Sequence, residues 1–226
     1  MSDLGRKAAA EAVGTALLVA AVVGSGVMAQ RLSPGDVGLQ LLENSIATGA
    51  VLVALILTLQ PVSASFNPAV TAVEAVLGRI TWTTAGVLAL AQVAGGVIGT
   101  VLANLMFELD PVSLSAHHRV GSGTAVAEVV ATLGLVVVVF GGLRSGRTET
   151  IAYAVGGYIA AAYWFTSSTS FANPAVTIAR MFSDTFAGIA PASAPAFVAL
   201  QLLGAAVAVP LVRVLFPDQP PEEVIR

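Results

Sequence analysis

Long apolar runs separated by short polar breaks fill the chain, and their spacing defines its elements. Six runs emerge, at about 7–30, 37–60, 81–106, 122–143, 149–166 and 193–216, and each approaches or exceeds the roughly 20 residues that an α-helix needs to cross a bilayer. Two shorter segments interrupt the series, one between the second and third runs and one between the fifth and sixth. Each is built on the same words: Ser65-Phe66-Asn67-Pro68-Ala69-Val70-Thr71 returns as Phe171-Ala172-Asn173-Pro174-Ala175-Val176-Thr177. Asn is a preferred N-cap and Pro suits the first helical position, so each copy starts a helix. The first should begin at Asn67 and stop near Gly78, about 12 residues or roughly 18 Å, against a bilayer core of about 30 Å. Neither helix can span. Two such segments entering from opposite sides meet tip to tip, and irregular backbone at that depth is tolerated only inside protein or along a water-filled cavity. The repeat therefore argues for a pore.

The duplication extends beyond these boxes. Ala10-Glu11-Ala12-Val13-Gly14-Thr15 in the first run is echoed by Ala127-Glu128-Val129-Val130-Ala131-Thr132 in the fourth, and Gln92-Val93-Ala94-Gly95 by Gln201-Leu202-Leu203-Gly204. Three spans per half is an odd number, which forces the halves into opposite orientations, and inverted repeats with broken helices build transport pathways. The expected fold is an all-α membrane protein: six transmembrane helices plus two re-entrant half-helices in an inverted repeat. It forms one domain over 1–226, with repeats at about 7–106 and 122–216 and a cytoplasmic tail at 217–226.

Composition agrees with that class. Of 226 residues, 56% are hydrophobic and 10% charged, with a mean hydropathy of +0.88, whereas soluble domains carry about 25% charged residues. A net charge of −3 argues against nucleic acid as a partner. With no cysteine, no disulfide framework or thiolate metal site exists. The first run exceeds a signal-peptide core and is expected to stay as a helix. With the N-terminus inside, Arg6, Lys7, Arg79, Arg144, Arg147, Arg213 and Arg226 face the cytoplasm, and Arg31, Arg119 and Arg180 face outward. That bias satisfies the positive-inside rule.

Several residues carry candidate chemistry. If each box asparagine caps its helix through the side-chain oxygen, the NH2 groups of Asn67 and Asn173 are free to donate into a lumen. The two helix N-termini bring partial positive charge to the midplane, which opposes cations and protons. Glu11 and Glu128 lie within apolar runs, where a charge costs about 2.5–3.5 kcal/mol on insertion scales and marks function. His117 and His118 stand beside Arg119 in a polar stretch, read as a solvated external loop and not as a metal site. Tyr163-Trp164-Phe165 fits an interfacial aromatic belt. Gly95, Gly99, Gly156, Gly157 and Gly204 mark close helix contacts, and Phe66 is expected to pack behind its loop.

From about Arg6 to Phe216 the chain resembles the major intrinsic proteins, the aquaporin and aquaglyceroporin channels. The two Asn-Pro-Ala boxes (Asn67, Pro68, Ala69 and Asn173, Pro174, Ala175), the paired glutamates and the inverted repeat carry the resemblance. It implies a homotetramer with one pore per subunit, passive flux of water or small neutral solutes, and no cofactor. Glu11 and Glu128 would support the loops before the half-helices by accepting backbone N–H bonds. Aligned with the family, the outer constriction falls on Thr48, a residue around Ile159 to Ala161 (Ile159 is taken here), Ser170 and Val176. Two departures stand out: Ser65 replaces the His common two residues before the first Asn, and Val176 replaces the Arg that usually follows the second box. The constriction should be wide and uncharged, a feature similar to that of bacterial members linked to arsenic resistance. The leading expectation is a passive channel for small neutral solutes, such as undissociated metalloid acids (arsenite, antimonite) and glycerol-like polyols, in the plasma membrane. An ordinary water-selective pore and a secondary transporter are the alternatives. No H-E-x-x-H or G-x-S-x-G signature supports an enzyme.

Overall fold

A computed structural model describes residues 1–217, and among these all regular structure is helical. The first half contains α1 (Asp3–Leu32), α2 (Val37–Leu59), the half-helix α3 (Pro68–Val76) and α4 (Trp82–Met106). The second repeats the order with α5 (Ser122–Arg144), α6 (Ile151–Phe165), the half-helix α7 (Pro174–Ala179) and α8 (Ala194–Leu215). The expected tail falls outside the described residues after Pro217.

Local chemistry sets the helix ends. Ser2, Asp36 and Thr81 cap α1, α2 and α4 by accepting from the amides of Gly5, Leu39 and Thr84, which satisfies donors that a helix start leaves open. The half-helix α3 stops at Gly78, whose φ of 72° suits glycine. Its amide donates to Ala75 O while Arg79 N donates to Glu74 O, the paired closure of a Schellman motif. At 9 and 6 residues, α3 and α7 are shorter than the sequence pattern implied.

Among the described residues, five helices are long and apolar enough to cross a membrane. The exception is α6, with 15 residues or about 22 Å; a 3-10 turn over Thr148–Thr150 leads into it. The run at 149–166 thus yields a shorter helix than the other five. Large apolar side chains such as Leu17, Leu90, Ile98, Val126 and Val214 stand exposed around the bundle. An apolar exterior of this kind belongs in lipid, and the chain is an integral membrane protein.

Small residues let the long helices touch backbone to backbone. A Cβ added to Gly95 would lie 2.1 Å from Ala12 O, and one on Gly99 would lie 2.2 Å from Ala16 O, so α4 lies directly on α1. The symmetry-related contact of α8 on α5 uses Gly204, whose added Cβ would lie 2.5 Å from Val129 O. Gly49 and Gly156 face each other where α2 meets α6. Gly157, by contrast, has nothing within 4 Å and marks no close contact. Replacing Gly95 by Ala should therefore destabilise the fold by about 1–3 kcal/mol, while Gly157→Ala should leave it unchanged or slightly more stable. Thermal unfolding of the two variants in detergent checks this: equal midpoints would show that the α1–α4 contact relaxes freely.

Candidate functional site

The loops before the two half-helices adopt the same unusual backbone. Phe66 and Ala172, each immediately before a box asparagine, have φ values of 47° and 46°, a left-handed conformation that costs a non-glycine residue energy. A buried carboxylate holds each in place. Glu11 accepts from Ser65 N at 2.8 Å, Phe66 N at 2.7 Å and Ser63 Oγ at 2.5 Å. Glu128 accepts from Phe171 N and Ala172 N, both at 3.0 Å. Both glutamates are fully buried. Each is also tied to the half-helix it supports: Gln92 Nε2 bridges Glu11 and Thr71, and Gln201 Nε2 bridges Glu128 and Thr177.

The turned backbone aims the carbonyls of Phe66 and Ala172 across the centre. Asn67 Nδ2 donates to Ala172 O at 2.8 Å, and Asn173 Nδ2 donates to Phe66 O at 2.7 Å. Each Oδ1 meanwhile caps its own helix, accepting from Ala69 N and from Ala175 N, both at 2.9 Å. The expectation of free NH2 groups is thereby revised. One hydrogen of each amide is used to lock the opposite loop, which leaves the other for the lumen. Phe66 is buried and its ring fills the space beside Gly14, where an added Cβ would sit 2.0 Å away.

A cavity of about 570 Å³ runs past this centre. One end is lined by Lys7, Gln60, Arg79 and Thr84, the middle by Phe66, Asn67, Asn173 and Val70, and the other end by Thr48, Tyr163, Phe171 and Arg180. Ser65 and Glu74 line the first half, joined by a 3.2 Å hydrogen bond from Ser65 Oγ to Glu74 Oε2.

All four residues expected at the outer constriction, Thr48, Ile159, Ser170 and Val176, line this cavity and are buried. Ala161 is exposed and takes no part in the wall. The sequence reading missed three neighbours. Tyr163, assigned to an aromatic belt, is 3% exposed and its hydroxyl lies 3.1 Å from Thr48 Oγ1; only Trp164 and Phe165 face outward. Phe171 and Arg180 also enter the wall, so the expectation of an uncharged constriction does not hold. The available signal was helical spacing, because Tyr163 and Arg180 each lie four residues beyond an expected lining residue, Ile159 and Val176. His117 and His118 are exposed in the loop before α5.

Comparison with known proteins places this architecture. The model of the family described as "Major intrinsic protein" matches residues 1–150, and aquaglyceroporin AqpS of Rhizobium meliloti (strain 1021) is 52% identical over 225 residues, which is 99% of this chain and 95% of that protein. The chain belongs to the major intrinsic protein family. A probable NIP-type aquaporin of Nicotiana alata is 28% identical over 172 residues, covering 70% of this chain and 62% of that one. The X-ray structure of the aquaglyceroporin from Plasmodium falciparum superposes with a TM-score of 0.72 over 93% of this chain and 99% of that chain, at 18% identity. That last match shows the fold alone. Members of the major intrinsic protein family are channels, so the chain is not an enzyme.

The glutamate grip generates a direct test. Glu11→Gln keeps the volume but replaces an acceptor oxygen by an NH2 that faces backbone donors, so one buried amide loses its partner. The loss should be about 1–3 kcal/mol or more, with a lowered thermal midpoint and reduced flux. An unchanged midpoint would show that the loop holds its left-handed turn without the carboxylate.

Proposed function

We propose that the protein is a passive channel for small neutral solutes, admitting glycerol-like polyols and undissociated metalloid acids such as arsenous acid as well as water. The observation that carries this reading is Val176. It follows the second Asn-Pro-Ala box at the pore wall, in the place where the resemblance to the family expects Arg. A valine donates no hydrogen bonds and narrows the passage less than a guanidinium does. Around it the cavity offers hydroxyl groups from Thr48, Tyr163 and Ser170 beside the apolar Ile159 and Phe171, a lining suited to hydroxylated molecules with carbon backbones. The relative at 52% identity carries the name aquaglyceroporin, which supports the same direction. The reading includes a homotetramer in the plasma membrane, with both termini in the cytoplasm. Asn67, Pro68, Ala69, Asn173, Pro174 and Ala175 form its centre, and Glu11 and Glu128 are its loop supports.

Stopped-flow swelling of proteoliposomes in water, glycerol and arsenite tests the proposal. Wild-type vesicles should admit all three without a proton gradient or membrane potential. In the same vesicles Val176→Arg should suppress glycerol and arsenite uptake more than water flux. Water flux with no glycerol or arsenite uptake would identify a water-selective pore instead, and uptake that depends on a gradient would identify a coupled transporter.

A further inference from the structure

The pore wall beyond Val176 holds a buried cation that no carboxylate touches. Arg180 is 2% exposed and lines the cavity one helical turn beyond Val176. Its Nε donates to Ala187 O, and its guanidinium carbon lies 3.6 Å from the centre of the Phe171 ring. Arg119 fixes the same segment from outside, donating to Phe186 O at 2.9 Å and Gly188 O at 2.7 Å. Three consecutive carbonyls thus hold two arginines, and the Arg180 fork is set in one orientation. Among the described residues its two terminal nitrogens donate to no protein acceptor, and no carboxylate lies within ion-pair reach.

A second observation points at the same space. Ser170 lines the cavity, and its Oγ is buried without a hydrogen-bond partner. Buried polar groups without partners are rare, and a buried cation with no carboxylate in contact is costly to hold. Ser170 and Arg180 line one lumen, as do Thr48 and Tyr163, whose hydroxyls lie 3.1 Å apart. Phe171 and Val176 supply an apolar side to the same volume. Donors and apolar surface thus share one end of the cavity, and oxygen acceptors on a small carbon frame are the chemistry that would satisfy both.

We propose that Arg180, Ser170 and the Thr48–Tyr163 pair form a docking station for the oxygens of a small polyhydroxylated solute, with Arg180 supplying the guanidinium that position 176 lacks. The station rests on the wide-channel reading above and gives it a mechanism. A solute entering the pore gives up water on several oxygens at once. The rigid planar fork replaces part of that shell with charge-assisted bonds, and the hydroxyl of Ser170 replaces another part. Water gains less from the station, because it carries one oxygen and little apolar surface. Arg180 is therefore a specificity-determining residue whose effect appears in the ratio of solute to water flux.

The test uses the full chain in proteoliposomes, with glycerol as the probe and water flux measured in the same vesicles. Arg180→Leu should lower the glycerol-to-water ratio roughly tenfold, the scale of losing one charge-assisted hydrogen bond. Arg180→Lys should restore part of it, and Ser170→Ala should lower it several-fold. An arginine that only braces the loop would lower both fluxes together and leave the ratio at the wild-type value, which overturns the station. Should Arg180→Leu fail to fold, a wild-type ratio in both Arg180→Lys and Ser170→Ala overturns it, and a reduced ratio in either supports it. Wild-type vesicles that pass water but no glycerol sink the wide-channel reading itself, an outcome that the wild-type arm alone reveals.

Discussion

Glu11 and Glu128 are fully buried carboxylates whose oxygens are taken up by backbone amides, a serine hydroxyl and a glutamine. The arrangement solves two problems at once. A charge inside an apolar bundle needs donors around it, and two loops that have left the helical hydrogen-bond pattern need acceptors. Each glutamate holds the amide of a residue in a left-handed conformation, Phe66 or Ala172. That conformation turns the residue's own carbonyl toward the opposite loop, where an asparagine amide meets it. Central closure therefore follows from the grip on the loops, and the grip follows from burial of the carboxylates on α1 and α5.

The two halves share this framework but differ in what fills it. Phe66 places a buried ring against Gly14, whereas the matching position is Ala172, and Ala131 matches Gly14. Bulk lost at one side is compensated by Phe171, which packs edge-on against Phe197 with centroids 5.3 Å apart and carries two arginines near its ring. The half of the pore beside the first box instead bears Ser65 and Glu74. A symmetric scaffold thus presents Arg180 and hydroxyl groups at one end and Lys7, Arg79 and Glu74 at the other.

Much of this was legible in the chain itself. Apolar run lengths place the long helices to within a few residues, and the Asn-Pro pairs locate both half-helix starts, because capping and the fixed proline φ act locally. Glu11, Glu128 and the two glutamines are visible as echoes between halves. The outer wall was harder to read. Tyr163 sits in a Tyr-Trp-Phe run whose members look alike in sequence but point different ways, one inward and two outward. Arg180 looked like a surface cation, and its burial depends on carbonyls of the 186–188 segment that only the folded loop brings near. The asparagine amides looked free because their partners lie in the other half of the chain.

The crossed bonds at the centre also constrain how the molecule can be made. Ala172 O, the acceptor for Asn67, is synthesised 105 residues after it, and the acceptor for Asn173 belongs to the half that was made first. The first repeat can therefore insert its spans and seat its loop on Glu11, but its asparagine amide has no mate until the second repeat arrives. Neither half is a finished object in the bilayer. Their last step of assembly is reciprocal, which gives a duplicated architecture a reason to remain one polypeptide, since a linked partner is always at hand when the first loop needs it.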